Sequence, residues 1–362
     1  VRFLNPYVGL HRPKDYEKKA ADWFKKEFGI PAKETVAAVR AAYAAYDAYK
    51  DDLRDQYPYG LLAKPLSDCV RIQSTSGTTG PAKRVFYTEK DTEQTIGLFT
   101  AGISEMLAAG EKCFIAFPFT GPFGLGDLIA QAVERLGGIP IRAGFGQTWG
   151  EMLGLLEETQ PETYIGFPVT LLSLIRLCGE KFPINRALVS GDACPAGVME
   201  ELEKMLGSKL YPHYGSRECG LGGAVTCPAF EGMHLRENHI IPEIIDEQWH
   251  VLPDGEYGEL VLTTIGADAM PLVRYRTGDV TRILPPCKCG GITKRLDTVS
   301  RREGELSIEE LDSQLFRIPD LADYRASFDG RLIIEARTLS EGLQVQILGT
   351  AKALYPDLQM EV

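Results

Sequence analysis

A short segment rich in hydroxyl groups and glycine, residues 74–80, has the composition of a phosphate-binding loop. Gly77 and Gly80 allow positive φ, so that consecutive backbone N–H groups can face one anion. Further donors come from the hydroxyls of Thr75, Ser76, Thr78 and Thr79. No lysine follows Gly80 directly, so the segment does not match the Walker pattern. The composition indicates a polyphosphate site outside the P-loop class, and the alternative is an ordinary Ser/Thr/Gly surface loop.

Four residues in a later region have the types and spacing of metal ligands. Cys287 and Cys289 form a C-x-C pair, and upstream lie Cys227 and, seven residues later, His234. Three thiols and one imidazole would complete a closed tetrahedral zinc site, which is a structural rather than a catalytic kind. The alternative is reduced, buried cysteines. Cys219 and His239 are spare candidates for a ligand position.

The elements that must position these groups can be placed from the sequence pattern. Between residues 92 and 206 helical and strand patterns alternate, which predicts βα units and a mostly parallel sheet. We expect helices at about 92–109, 126–136, 149–158, 168–178 and 195–206, and strands at 112–117, 139–142, 163–167 and 186–190. Ligands bind at the carboxyl ends of such strands, so residues 117–121, 191–193 and 213–218 should converge on one cleft.

The flanking regions have a different texture. Residues 14–55 predict two helices, and a strand at 85–88 places the phosphate loop in a strand–turn–strand unit. Short strands with Pro, Asp and Gly turns predict an antiparallel β-subdomain at about 239–298. From residue 307 a helix (307–316), two strands (around 322–337) and a second helix (341–355) form a compact tail. The expected domains are 1–300 and 301–362, in the α/β class.

Composition excludes several classes of protein. The chain has 362 residues, 44% of them apolar and 25% charged, which is typical of a globular protein. A net charge of −11 argues against nucleic acid as a partner. No run approaches the ~18 apolar residues of a membrane span. With no secretory signal visible and with scattered cysteines, we expect a cytoplasmic location and no membrane partner.

Four separated segments, taken in order, resemble the motifs of adenylate-forming enzymes. They are residues 75–80, residues 214–218 (Tyr-Gly-Ser-Arg-Glu), residues 274–279 (Arg-Tyr-Arg-Thr-Gly-Asp) and Arg301. That superfamily includes acyl-CoA synthetases, nonribosomal adenylation domains and luciferase. Within it the chain is most similar to the phenylacetate–CoA ligase branch, through residues 52–58, 87–91, 255–263 and 269–272. The resemblance covers about residues 50–302. It implies a large N-terminal domain of mostly parallel sheets with a β-subdomain, and a small, shortened α+β C-terminal domain.

The resemblance also implies roles for individual residues. Residues 75–80 would hold the β- and γ-phosphates of ATP, with Thr78 acting in catalysis, and Glu218 would bind Mg²⁺, which prefers carboxylate and phosphate oxygens. Tyr214 would stack on adenine, and Asp279, reinforced by Arg301, would accept from the ribose hydroxyls. The remaining nucleotide contacts would come from Gly191, Asp192, Ala193, Gly215, Ser216 and Arg217. Singly, these residues have structural alternatives: a core aromatic for Tyr214, a turn former for Asp279, a helix N-terminal acid for Glu218.

The implied reaction is adenylation of a carboxylic acid by ATP and Mg²⁺, which yields acyl-AMP and pyrophosphate. Phe117, Phe119, Phe123, Phe167 and Gly191 suit a flat, aryl acid, although they could equally be core residues. The acyl group would pass to CoA, a carrier protein thiol or an amine. The resemblance implies a Cys/His zinc set as well. Two alternatives remain open: AMP transfer to a cofactor hydroxyl, as in deazaflavin-modifying relatives, and nucleotide binding without turnover.

Three features depart from the branch pattern. Its Gly-Ala-Glu-Pro segment reads Gly-Asp-Ala-Cys-Pro at residues 191–195, and its hinge reads Ser-Arg-Arg-Glu-Gly-Glu at residues 300–305. The tail is shorter than the C-terminal domain of full-length relatives, whose late lysine reaches the α-phosphate. The last lysine here, Lys352, lies on a predicted helix with no matching motif, so we expect its replacement to leave the rate unchanged.

Overall fold

The computed structural model describes residues 59, 61–74, 83–144, 146–179, 182–301, 306–328 and 330–362. The proposed phosphate loop, with Thr75, Ser76, Gly77, Thr78, Thr79 and Gly80, lies outside the described residues. The helices expected within residues 14–55 lie outside them too. Arg301 is described by its backbone alone.

An antiparallel hairpin frames the proposed phosphate loop. Strand β1 (Cys69–Ser74) pairs with β2 (Arg84–Thr88), and the last pair in the register is Ser74 with Arg84. The two ends of the connecting loop are therefore held side by side. This confirms the expected strand–turn–strand unit, which differs from the strand–loop–helix of a P-loop protein.

One half of the central nine-stranded sheet is parallel. It consists of β3 (Lys112–Ala116), β4 (Ile139–Arg142), β5 (Thr163–Gly166), β6 (Arg186–Val189) and β7 (Tyr211–Tyr214), in the spatial order β7-β6-β5-β3-β4. Every residue of β5 is buried, as expected for a strand covered on both faces. The predicted βα units are confirmed.

Helices connect these parallel strands. They are α1 (Glu89–Ile103), α2 (Gly126–Arg135), α3 (Trp149–Thr159), α4 (Pro168–Cys178) and α5 (Ala196–Leu206). Helix α1 begins three residues before the predicted start because Thr88 and Asp91 form a capping box. The Asp91 carboxylate also accepts the N–H groups of Asp268 and Ala269, at 2.7 and 3.0 Å. This contact fixes the segment that leads into the 274–279 motif.

The other half of the large sheet is antiparallel. Strands β8 (Ala224–Thr226) and β9 (Met233–Leu235) continue from β7. A separate antiparallel sheet has the order β10-β11-β12-β15, with β10 (Ile240–Ile245), β11 (Gly258–Thr264), β12 (Tyr275–Thr281) and β15 (Ser300–Arg301). The short strands β13 (Ile283–Leu284) and β14 (Arg295–Leu296) join the large sheet instead, beside β9. The strands expected to form one β-subdomain are thus divided between two sheets.

The tail is built of α6 (Ile308–Leu315), β16 (Leu321–Phe328), β17 (Leu332–Thr338), α7 (Gln344–Leu354) and β18 (Met360–Glu361). Its buried side chains, among them Leu315, Phe316 and Leu321, belong to the same apolar cluster as Leu171 and Leu202 of α4 and α5. At Gly197 the backbones of α5 and α6 meet so closely that an added Cβ would lie 1.9 Å from Ser313 O. The tail therefore packs directly on the large sheet's helices.

No helix within the described residues is long and apolar enough to cross a membrane.

Candidate active site

The carboxyl ends of the parallel strands meet at one edge of the sheet, as the sequence predicted. Strand β6 runs into residues 191–194, and β7 runs into residues 215–218. Residues from both segments line a cavity of about 810 Å³. Its walls include the segments 191–194, 212–216 and 297–300, together with Asp279 and the tail residues Leu306, Ile308, Glu309 and Asp312. The structure thus brings together predicted nucleotide contacts from three separated regions.

Tyr214 and Asp279 are joined within this cavity. The Tyr214 hydroxyl donates to the Asp279 carboxylate at 2.8 Å, although 65 residues separate them in sequence. Burial and the neighbouring carboxylate raise the pKa of Tyr214 well above its usual value, so the phenol keeps its proton and donates. In the sheet, Asp279 on β12 is directly opposite Arg301 on β15. Tyr214, Asp279 and the Arg301 backbone therefore form one corner.

Gly191 forms a second part of the wall. Its φ is +87°, and an added Cβ would lie 2.6 Å from the Phe117 ring and 2.8 Å from the Phe167 ring. Only glycine satisfies both the backbone angle and this close approach. Next to it, the Asp192 carboxylate accepts the N–H of Ala193 at 2.9 Å.

The four phenylalanines predicted to surround a flat acid divide into two groups. Phe117 and Phe167 contact each other edge to face, with ring centroids 4.9 Å apart, beside Gly191. Phe119 packs under Gly126 and Gly144, and the Arg142 guanidinium covers its ring at 5.3 Å. Phe123 is exposed and lies under Arg217. Of these four, Phe117 and Phe167 adjoin the wall at Gly191.

Residues 215–221 form a tight turn after β7. An added Cβ at Gly215 would lie 2.5 Å from Leu221 O, so a side chain there would break the turn. Ser216 closes the turn because its carbonyl accepts the N–H of Leu221 at 2.9 Å and its hydroxyl accepts the N–H of Cys219 at 3.3 Å. The turn directs Arg217 and Glu218 away from β7 toward the β1–β2 hairpin.

Glu218 belongs to a network that the sequence analysis missed. Its carboxylate accepts the Tyr275 hydroxyl at 2.8 Å and lies 3.5 Å from the Lys83 ammonium. Lys83 also donates to the Tyr275 oxygen at 2.6 Å. The clues were present in the sequence: Lys83 comes three residues after the phosphate loop, and Tyr275 lies inside the 274–279 motif. The network sets a carboxylate and an ammonium next to the ends of that loop.

Arg217 lies on the other side of Glu218. Its guanidinium carbon is 4.9 Å from the centre of the Phe123 ring, and its carbonyl accepts the Tyr87 hydroxyl of β2 at 2.6 Å. Burial lowers the pKa of Arg217 from its usual value, while the neighbouring Glu218 opposes this effect.

A buried histidine lies beneath the cavity floor. His213 Nδ1 is 2.7 Å from the Ser190 hydroxyl, and the ring packs against Phe99 with centroids 5.1 Å apart. Burial, with a contribution from Arg236, lowers the pKa of His213 to about 4. The imidazole is therefore neutral at physiological pH.

The four predicted zinc ligands are brought together. The candidate ligand atoms of Cys227, His234, Cys287 and Cys289 all lie within 4.8 Å of one another. Cys227 Sγ is 3.7 Å from Cys287 Sγ, and Cys289 Sγ is 3.3 Å from His234 Nε2. Zn–S bonds of about 2.3 Å and Zn–N bonds of about 2.0–2.1 Å would give tetrahedral edges of about 3.8 and 3.6 Å. The donor set therefore fits one zinc ion.

The surroundings of this cluster also suit a metal. The N–H groups of Ala229, Cys289 and Gly291 each point at the thiol two residues earlier, at 3.4, 3.5 and 3.2 Å. The Cys289 N–H lowers the pKa of Cys287 to about 6, which favours the thiolate that zinc requires. His234 Nδ1 contacts the Thr293 hydroxyl at 2.9 Å, which orients Nε2 toward the thiols.

The remaining cysteines lie elsewhere. Of the described residues, the cluster holds Cys227, His234, Cys287 and Cys289, so the spare candidates Cys219 and His239 are not part of it. Cys219 is buried, and its sulfur accepts the N–H of Ser216 at 3.1 Å. Cys194 lines the nucleotide cavity, where burial raises its pKa to about 12 and keeps it a thiol.

Comparison with known proteins gives a family. The sequence matches the AMP-binding enzyme family over residues 17–267. The phenylacetate-coenzyme A ligase of Pseudomonas putida is 33% identical over 293 residues, which cover 76% of this chain and 66% of that enzyme. The enzyme of the same name from Escherichia coli strain K12 is 33% identical over 276 residues, or 72% of this chain and 61% of that enzyme. The chain thus matches less than two thirds of the length of these relatives.

Solved structures share the fold. A 2-hydroxyisobutyryl-CoA ligase, in the postadenylation state with 2-HIB-AMP, superposes with a TM-score of 0.71 at 18% identity. The superposition covers 99% of this chain and 84% of that one. A benzoate CoA ligase from Burkholderia xenovorans LB400 has a TM-score of 0.54 at 19% identity, covering 80% of this chain and 63% of that enzyme. At these identities the likeness describes the fold alone.

Proposed function

Because the chain belongs to the AMP-binding enzyme family, we propose that it adenylates a carboxylic acid with Mg²⁺·ATP. The observation that carries this proposal is the convergence of Gly191, Tyr214 and Asp279 on one cavity, with the Tyr214–Asp279 hydrogen bond at 2.8 Å. The cavity volume of about 810 Å³ lies in the usual range of ligand pockets, about 300–1,000 Å³.

In this proposal the cavity holds the nucleoside end of ATP. Tyr214 stacks on adenine, with residues 191–193 as the opposite wall and Gly215 and Ser216 at its edge. Asp279 accepts hydrogen bonds from the ribose hydroxyls, as an ionised carboxylate accepts readily. Arg301, opposite Asp279 in the sheet, reinforces that contact. Residues 75–80 hold the β- and γ-phosphates, with Thr78 among the donors.

The chemistry requires no protein nucleophile. A carboxylate oxygen of the acid attacks the α-phosphorus, a new P–O bond forms, and the bond to the bridging oxygen breaks. Pyrophosphate leaves with that electron pair, and acyl-AMP remains. Glu218 binds the Mg²⁺ that accompanies ATP, and its present partners Lys83 and Tyr275 hold the carboxylate in place. Catalysis then rests on in-line positioning and charge neutralisation.

We further propose that the acid is aryl or similarly flat. Phe117 and Phe167 meet edge to face beside Gly191, which leaves an aromatic surface free of any Cβ at that point. The relatives are named for phenylacetate, and a superposed structure is a benzoate ligase. CoA is the acceptor that these names favour; a carrier thiol or an amine would follow the same chemistry.

The Cys/His cluster holds a structural zinc ion in this proposal. Its four ligands leave no open coordination position, so the metal would stabilise rather than react. His234 lies on β9 and is paired in register with Arg295 of β14, while Cys287 and Cys289 lie in the loop between β13 and β14. Zinc would therefore tie together the outer edge of the large sheet.

Two broader predictions stay attached to this proposal. We retain the domains 1–300 and 301–362, with the tail packed on α4 and α5 as described. A cytoplasmic location remains a prediction, in keeping with eight cysteines that form no disulfide.

The experiment is carboxylate-dependent exchange of labelled pyrophosphate into ATP, with a panel of aryl and alkyl acids. Adenylation predicts exchange that requires both Mg²⁺ and one class of acid, with aryl acids favoured. AMP transfer to a cofactor hydroxyl predicts exchange that depends on that alcohol and not on any acid. Tight ATP binding without exchange for any acid would contradict the proposal and favour the non-catalytic alternative.

A further inference from the structure

Arg217 has a half-buried guanidinium with no anionic partner among the described residues. Its Nε is buried without a hydrogen-bond partner, and the Phe123 ring covers one face of the guanidinium at 4.9 Å. A partly buried charge is costly unless an anion pairs with it. Other arginines of this region are paired: Arg71 with Asp127, and Arg276 with Glu259. Arg217 thus has the environment of a group that binds an anion from outside the chain.

Its position defines where that anion would lie. Ser216 is the last residue of this turn that lines the nucleoside cavity, and Glu218 contacts Lys83 at the base of the β1–β2 hairpin. Arg217 lies between them in sequence, and its carbonyl is tied to Tyr87 of β2 at 2.6 Å. The guanidinium is therefore placed between the nucleoside end and the loop that would hold the β- and γ-phosphates.

Phe123 is held at the same place from the other side. The N–H of Ser74, the last residue of β1, donates to Pro122 O at 3.0 Å. Gly124 O accepts from Arg71 Nη1 at 3.0 Å and from the Gln73 amide. The loop that carries Phe123 is thus fastened to the strand that enters the phosphate loop. Since Phe123 covers one face of the guanidinium, its donor edge must bind in the plane of the group.

We infer that the Arg217 guanidinium binds the α-phosphate of ATP and of the adenylate, and that it stabilises the negative charge on the five-coordinate phosphorus. This inference rests on the proposed adenylation. A planar guanidinium can donate two parallel hydrogen bonds to phosphate oxygens, which a point charge cannot match in geometry. Because the α-phosphorus is where charge develops, the contact would strengthen in the transition state.

The tail contributes groups of other kinds to the cavity. Of its described residues, Leu306, Ile308, Glu309 and Asp312 line the wall, two of them apolar and two acidic. The tail is also anchored: Arg176 of α4 donates to the carbonyls of Phe316 and Leu321. Lys352 is exposed on α7. Arg217, in contrast, lies where the α-phosphate is expected.

The test compares ligands that differ by one group. Calorimetry on the full chain would measure the binding of adenosine, AMP and pyrophosphate to the wild type, to Arg217→Met and to Arg217→Lys. We expect Arg217→Met to weaken AMP binding by about 10–100-fold, as for a lost charge-assisted hydrogen bond, while adenosine and pyrophosphate bind as before. Arg217→Lys should lose less, about 3–10-fold, because it retains the charge but not the bidentate geometry. Lys352→Met is the matched control and should bind AMP unchanged.

Exchange kinetics give a second reading. Arg217→Met should lower the turnover of acid-dependent exchange by about 10²–10³-fold, with the KM for the acid unchanged. Unaltered AMP binding would overturn the inference, and so would a parallel loss of adenosine binding. A raised KM for the acid with normal AMP binding would assign Arg217 to the substrate carboxylate instead. If the wild type exchanges no acid, adenylation fails, yet the AMP and adenosine comparison still decides the role of Arg217.

Discussion

The nucleotide cavity and the Cys/His cluster are built from similar short-range geometry but differ in what they leave open. The cavity encloses about 810 Å³, and its polar groups bond to one another across large sequence separations, as Tyr214 does to Asp279. The cluster is closed: its four ligand atoms lie within 4.8 Å of one another. An open set of hydrogen-bonded groups can exchange its partners for a ligand, whereas a closed set holds one ion. The difference indicates chemistry in the first region and stability in the second.

The largest expected effect separates the regions by function. Glu218→Gln should lower acid-dependent exchange by at least about 10³-fold, because an amide cannot replace the charge that Mg²⁺ requires. Steady-state exchange and zinc analysis on the same sample would check this, and zinc content should not change. Glu134→Gln, an exposed change on α2, is the control. Retained exchange in Glu218→Gln would remove Glu218 from the metal role.

The cluster should show the reverse pattern. Cys289→Ser should reduce bound zinc from about one per chain to a small fraction, since serine is a poor ligand for zinc. The melting temperature should fall by about 5–10 °C while the exchange rate at 20 °C stays within about twofold. Cys178→Ser, a thiol outside the cluster, is the control. Loss of turnover at unchanged stability would mean that the two regions are not separate.

Within the cavity, two substitutions distinguish the ribose contact from its support. Asp279→Asn should raise the KM for ATP by about 10–100-fold, because hydrogen bonds to a charged acceptor are lost. Tyr214→Phe keeps the ring and removes the 2.8 Å bond, so an increase of about 3–10-fold is expected. Asp357→Asn, exposed in the tail, is the control. Equal effects at both positions would mean that Asp279 acts through Tyr214 and not on ATP.

His213 connects the cavity to the stability of the fold. Its folded pKa of about 4 lies below the value of about 6.5 expected when unfolded, so the unfolded chain binds an extra proton between these values. Stability should therefore fall as the pH drops from 6.5 toward 4, by roughly 2–3 kcal/mol at pH 4.5 from this group. Urea unfolding at pH 6.5 and 4.5 should show a shallower pH dependence in His213→Gln. His250→Gln, whose side chain is exposed, should behave as the wild type; a wild-type slope in His213→Gln would contradict the assignment.

Much of the fold could be predicted because local patterns decide it. The alternation of strands and helices between residues 92 and 206 specified the parallel half of the sheet, and helix α4 has the predicted bounds. The antiparallel half was less accessible, because β13 and β14 are two-residue strands with no periodicity of their own. Their assignment to the large sheet depends on tertiary pairing with β9.

The candidate site shows the same limit at the level of side chains. Cysteine and histidine spacing sufficed for the four-ligand cluster, because the residue types announce their chemistry. Lys83 and Tyr275 were missed because either could be an ordinary surface or core residue until the fold places them beside Glu218. Likewise, no sequence pattern reveals that Phe123 covers Arg217 from a loop 94 residues away.

The central claim, that a carboxylate attacks the α-phosphorus, is tested most directly with an ¹⁸O-labelled aryl acid. After incubation with Mg²⁺·ATP the products are cleaved with hydroxylamine, which attacks the acyl carbon, and the AMP is examined by mass spectrometry. Adenylation predicts one ¹⁸O atom in the AMP phosphate, because the bridging oxygen comes from the acid. AMP without the label would mean that the phosphorus was attacked by another oxygen, and it would contradict the proposed reaction.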